Sequence, residues 1–132
     1  MMLSDVRDYV SSLGLAEHVY MGKMDSKQNH SIGVYNSKHG QSYKTAIGGP
    51  AMRSYGTKTV TILVHWSQSP RGTERIAKEL FKKLVETNEE TINDQTIKFF
   101  QPLTEEPVDV GTDDSGIYEM VIEAAVIYER KR

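Results

Sequence analysis

The last dozen residues before the basic end constrain this chain more than any other stretch. From Tyr118 to Tyr128, apolar residues stand at every second position: Tyr118, Met120, Ile122, Ala124, Val126 and Tyr128. Glu119, Glu123 and Glu129 fall between them. Side chains alternate across a strand, so this pattern predicts a long antiparallel strand with one face buried and the other at least partly wet. A strand of that kind needs neighbours on both sides and a layer to cover its apolar face.

A second strand is predicted in "TVTILVHWS", where Val60, Ile62, Val64 and Trp66 point one way and Thr59, Thr61, Leu63, His65 and Ser67 the other. Two helices supply the cover. In the first, Val6, Tyr9, Val10 and Leu13 recur at helical spacing, with Ser4 placed to cap, Asp5 in the first turn and Gly14 at the end. In the second, Ile76, Ala77, Leu80, Phe81 and Leu84 form the stripe, with Pro70 or Thr73 near its start. Two short strands, His18 to Met24 and Ser31 to Asn36, are read as joined by a hairpin loop, "DSKQNH". "TIKFF" and "PVDV" are further strands, separated by Pro102 and Pro107. Residues 37–58 are broken by four glycines and a proline and read as a glycine-rich loop, with room for a short strand at Tyr43, Thr45 and Ile47. The expected fold is α+β: a single domain, residues 1–132, with two helices packed on one face of an antiparallel or mixed sheet. The order is helix, two strands, a further short strand in the loop, a strand, a helix and three strands.

Charge is distributed unevenly. Between Ser26 and Thr73 lie Lys27, Lys38, Lys44, Arg53, Lys58 and Arg71 and no acid. Between Glu86 and Glu123, eleven acids (Glu86, Glu89, Glu90, Asp94, Glu105, Glu106, Asp109, Asp113, Asp114, Glu119, Glu123) face one base, Lys98. Such asymmetry speaks of partners rather than of fold. With a net charge of −2, the chain is not a uniformly basic nucleic-acid binder. No apolar run approaches the roughly 18 residues of a membrane span. The start lacks the pattern of a secretory signal, so synthesis in the cytoplasm is the default expectation.

Chemistry-bearing motifs are absent. The chain has no cysteine, and His18, His30, His39 and His65 share no metal-binding spacing. His65 reads as a packed or surface residue. The acidic "DDSG" at Asp113 to Gly116 is not an EF-hand: with Gly116 at position 6, positions 1 and 12 are Gly111 and Ile122. Asp, Ser and Gly together are what a tight turn between strands requires. No nucleophile elbow, P-loop or dinucleotide fingerprint is present, so no catalytic residue, metal or cofactor is expected. In the loop, Lys38, Tyr43, Lys44, Arg53, Tyr55 and Lys58 interleave bases with tyrosines. A solvated loop is the favoured reading. A nucleic-acid-binding module and a protein contact are the two functional alternatives.

From "TKTVTILVHWSQSPRGTERIAKELFKKL" through "TIKFFQPLTEEPVDVGTDDSGIYEMVIEAAVIYERK", the chain resembles the minor capsid and tail-terminator proteins of tailed bacteriophages. The likeness lies in order and spacing: a glycine-rich loop, a central strand, a helix and a hairpin marked by Pro107, Val108, Val110, Gly111, Asp113 and Gly116, then an alternating strand with the basic tail Arg130-Lys131-Arg132. The resemblance implies a structural virion protein at the head–tail junction, made in the host cytoplasm. It implies a homo-oligomeric ring, commonly of six subunits, that ends tail-tube growth and docks to the head connector. Its partners would be tail-tube and connector proteins, with DNA passing the ring without specific binding and no membrane involved. Within such a ring, Glu105, Glu106, Asp109, Asp113 and Asp114 would line the channel or meet a neighbour, the channel being the favoured reading.

Overall fold

A computed structural model of the chain describes residues 1–22, 29–38, 47–49 and 54–130. Tyr43, Lys44 and Arg53 of the sequence-predicted loop lie outside the described residues, as do Thr45 and most of the short strand expected there. Among these residues nine elements follow one another: α1 (Leu3–Ser12), β1 (His18–Met21), β2 (Ser31–Asn36), β3 (Tyr55–His65), α2 (Pro70–Glu86), β4 (Glu90–Ile92), β5 (Gln95–Pro102), β6 (Val108–Thr112) and β7 (Tyr118–Glu129). The seven strands form one mixed sheet in the order β1-β2-β3-β7-β5-β4, with β6 beside β7. The fold class and the order of elements agree with the expectation from sequence.

The alternating strands hold the centre. β7 pairs antiparallel with β3 along its length, from Tyr55↔Glu129 to His65↔Glu119. This register sets Ile62 opposite Ile122 and Val60 opposite Ala124, all on the face toward the helices. α2 begins at Pro70 with Ser69 as its cap, the Ser69 Oγ accepting from the Gly72 N–H at 3.1 Å. Its buried residues Thr73, Ala77, Leu80 and Leu84 lie on one stripe. Val6, Tyr9 and Val10 of α1 join the same core. Both helices therefore cover one face, and among the described residues the opposite face has no helix on it.

Three local expectations need correction, and one strand was not anticipated. β1 and β2 are not a hairpin: they run parallel, His18 beside Ser31 and Met21 beside Val34. The Gly22 N–H prolongs this ladder to the Val34 carbonyl at 2.9 Å. Just before β2, the His30 N–H donates to the Trp66 carbonyl and its ring stacks on the indole at 4.5 Å. The strand at Val60 begins earlier than expected, so Tyr55 and Lys58 belong to β3 and not to a loop. Gly56 is tolerated there because the Tyr128 ring lies over it. Ser4 does not cap α1: the helix starts at Leu3, and the Asp5 carboxylate accepts the Met2 N–H at 2.8 Å. Finally, the polar "ETNEETINDQ" contains β4, turned into β5 by Asn93 and Asp94 at φ 51° and 62°. Asn-Asp with both residues left-handed is the two-residue hairpin turn, a signal that was present in the sequence.

Candidate assembly surfaces

The helix-free face is built in rungs, because each pairing sets residues side by side across the strands. One rung runs Tyr20, Gly33, Leu63, Val121 and Val108, from β1 to β6. It is apolar throughout, and it ends in Val108, which is exposed, as is Val110 beyond it. The rungs on either side are polar and internally bonded. On one side Glu123 accepts hydrogen bonds from the Thr61 hydroxyl at 2.6 Å and the Ser37 hydroxyl at 2.8 Å. On the other, His65 pairs with Glu119, Nδ1 to Oε2 at 2.9 Å. Burial, and next the Glu119 charge, push the Tyr35 phenol above its ordinary value.

His65 is packed, only 1% exposed. Its Nδ1 faces the Glu119 carboxylate, and among the described residues Nε2 has no hydrogen-bond partner, standing 3.8 Å from Asp113 Oδ2. Asp113 itself organises the β6–β7 turn. Its Oδ1 accepts from the Ser115 and Ile117 N–H groups, both at 2.9 Å, and Gly116 takes φ 78°. The acidic "DDSG" is a hairpin connection in which one carboxylate is occupied by the backbone.

The other acidic candidates lie along β6 and the connections on either side of it. Glu105 and Glu106 are exposed in the β5–β6 connection, and Asp114 is exposed in the turn. Asp109 is exposed on β6, where its Oδ1 accepts from the Gly111 N–H at 2.8 Å. Glu106 and Asp109 share a small cleft with Glu74 at the start of α2. The basic candidates lie toward the other end. Lys38 is exposed just past β2, Tyr55 is exposed at the start of β3, and Lys58 is half-buried in β3. The length of β3 separates Tyr55 from His65 by roughly 33 Å at about 3.3 Å per residue. The structure thus sets described members of the two candidate groups toward opposite ends of the strands.

Sequence reasoning did not find a third feature. Where β3, β5 and β7 meet near Tyr55, the open face holds a groove of about 680 Å³. Phe99 and Ile127, neighbours in register, lie in it with Tyr55. Phe99 reaches it because a bulge between Ile97 and Phe99 shifts β5 against β7. On the wall, Lys98 donates to Glu89 at 2.9 Å, which raises the Lys98 pKa. The apolar pair was legible as residues but not as neighbours, since Phe99 and Ile127 meet only through the pairing.

A family model described as bacteriophage tail terminator protein matches residues 9–130. That span includes every strand of the sheet and all of α2. Comparison with curated proteins finds no match.

Proposed function

This chain belongs to the bacteriophage tail terminator family, and from that premise we propose that its copies close into a ring that ends tail-tube growth and docks to the head connector. The family is structural, and its place is the virion. In this reading the protein acts by shape and contact, performs no catalysis, and sits at the head–tail junction after assembly in the host cytoplasm. The family match over nearly the whole chain is the observation that carries the proposal. The architecture supports it: both helices cover one sheet face, which leaves the other, with its apolar rung, available to neighbours. A closed ring needs two different patches on each copy, and this sheet carries distinct surfaces at its two ends. Glu105, Glu106, Asp109 and Asp114, each exposed, are the surface we assign to the channel, where negative charge lets DNA slide without sticking.

Two measurements test the reading. Molar mass in solution should rise with concentration to a discrete oligomer, which electron microscopy should show as a ring. Tail tubes grown with the protein present should carry that ring at one end and stop lengthening. A chain that stays monomeric and leaves tubes uncapped would overturn the proposal. Steeply salt-dependent binding to DNA would instead favour the nucleic-acid reading of the basic segment.

A further inference from the structure

The buried imidazole of His65, at the end of β3, stands between two carboxylates from different parts of the chain. Glu119 of β7 is its register partner and lies 2.9 Å from Nδ1. Asp113 of the β6–β7 turn lies 3.8 Å from Nε2, which is buried and, among the described residues, without a hydrogen-bond partner. On the β2 side the register neighbour is Ser31, which carries no charge. The same end of the sheet holds His30, stacked on Trp66, and Asp114 of the turn, while Tyr35 feels the Glu119 charge.

Ionised carboxylates only accept, a neutral imidazole has one N–H to give, and an imidazolium has two. Between Glu119 and Asp113, a neutral ring therefore leaves one nitrogen lone pair facing a carboxylate. The contact at Nε2 has that form, since 3.8 Å exceeds the roughly 2.7–3.2 Å of a hydrogen bond. A proton on Nε2 turns it into a charge-assisted bond, which a shift of about 1 Å closes. Two ligating side chains are too few for a structural metal, and among the described residues no group of three converges. The ligand that fits is a proton.

We propose that His65 is a proton-operated latch on the β6–β7 turn: the imidazolium draws Asp113 in and holds it, and the neutral ring releases it. Asp113 passes the change to the backbone, because its Oδ1 accepts from the Ser115 and Ile117 N–H groups. Ile117 is buried while Asp114 and Ser115 are exposed, so the base of the turn stays anchored and its tip responds. The latch closes as pH falls and opens as pH rises, through roughly pH 5 to 8, where histidine changes charge. It does not depend on ring closure.

Hydrogen exchange of the Ser115 and Ile117 amides tests the latch, read as protection factors so that the intrinsic effect of pH on exchange is divided out. In the parent chain protection should be about tenfold greater near pH 5.5 than near pH 8, as a bond to a charged group implies. Nitrogen chemical shifts of the ring should show both His65 nitrogens protonated at the lower pH. Asp113→Asn keeps an oxygen for the turn and offers an N–H to Nε2. It should invert the response, because an amide donates to the neutral ring and not to the imidazolium. His65→Gln, whose side chain does not change charge, should abolish the response. Equal protection at both pH values in the parent overturns the latch, as does a bare Nε2 at the lower pH. A response that survives His65→Gln also overturns it and assigns the effect to another group such as His30. Should His65→Gln fail to fold, Asp113→Asn decides alone: a response there like the parent's overturns the latch.

Discussion

The two faces of the β3–β7 ribbon are made from the same two strands, residue by alternate residue, yet they solve different problems. Toward the helices stand Val60, Ile62, Val64, Ile122 and Val126, each at most 1% exposed. Toward the open side stand Thr61 with Glu123 and His65 with Glu119, polar pairs bonded to each other, and between them the rung of Leu63 and Val121. One face is covered by the chain's own helices, so it can be uniformly apolar. Among the described residues the other has no helix over it, so the apolar rung there is flanked by rungs whose polar side chains bond one another. An apolar strip bordered by hydrogen-bonded polar pairs is compatible with water and still able to meet a neighbour.

The sharpest way to break this comparison is to put one charge on each face. Ile122→Asp would bury an unpaired carboxylate and should cost about 4 kcal/mol or more, read as a collapse of the urea midpoint. Val121→Asp, one residue away, should cost about 1 kcal/mol, because its side chain is only half-buried. Equal losses would mean the strand is assigned one residue out of register, since a slip of one exchanges the faces.

Gly56→Ala probes the covered face at its end. An added Cβ would sit 2.4 Å from Cζ of Tyr128, so the ring must move, at about 1–2 kcal/mol. Since the clash is with the far end of that one side chain, the cost should largely vanish in a Tyr128→Ala background. A penalty that persists there would locate the strain in the backbone instead.

On the open face, Glu123→Ala removes the acceptor shared by Thr61 and Ser37 and should cost about 1 kcal/mol in the same unfolding experiment. Glu123→Gln, which keeps one oxygen, should recover part of it. Sequence alone placed this carboxylate on a face at least partly wet; a null effect would mean that the two bonds add nothing to that.

The smallest effect lies at alkaline pH. Burial raises the phenol pKa of Tyr9, on the covered side, and of Tyr35, on the open side, above the ordinary 10.0. A group whose folded pKa is raised keeps its proton in the native state where the unfolded chain has lost it. Stability is therefore full below pH 10.0 and declines as pH rises through the folded values. Tyr9→Phe and Tyr35→Phe should each flatten that decline in a stability-versus-pH series. No change in slope for either would show that its folded and unfolded phenols titrate alike.

What the chain determined by itself was whatever depends on residues near one another in sequence. The period of two in Tyr118 to Tyr128, the stripe of Ala77, Leu80 and Leu84, and the Asp113 turn are decided by local geometry, and all are where their spacing put them. Even β4 was legible, in the left-handed Asn93-Asp94 pair, once that dipeptide is read as a hairpin turn. Tertiary structure decided the rest. Nothing within "HVYM" or "SIGVYN" says that they lie parallel, because the choice is made by what each strand meets on β3 and α1. The Glu123 bonds join residues 62 and 86 positions apart, and Phe99 faces Ile127 only through a bulge in β5. Alternation says which side of a strand a residue faces, but not which strand lies beside it, since pairing is settled by the burial and hydrogen bonding of the whole sheet at once.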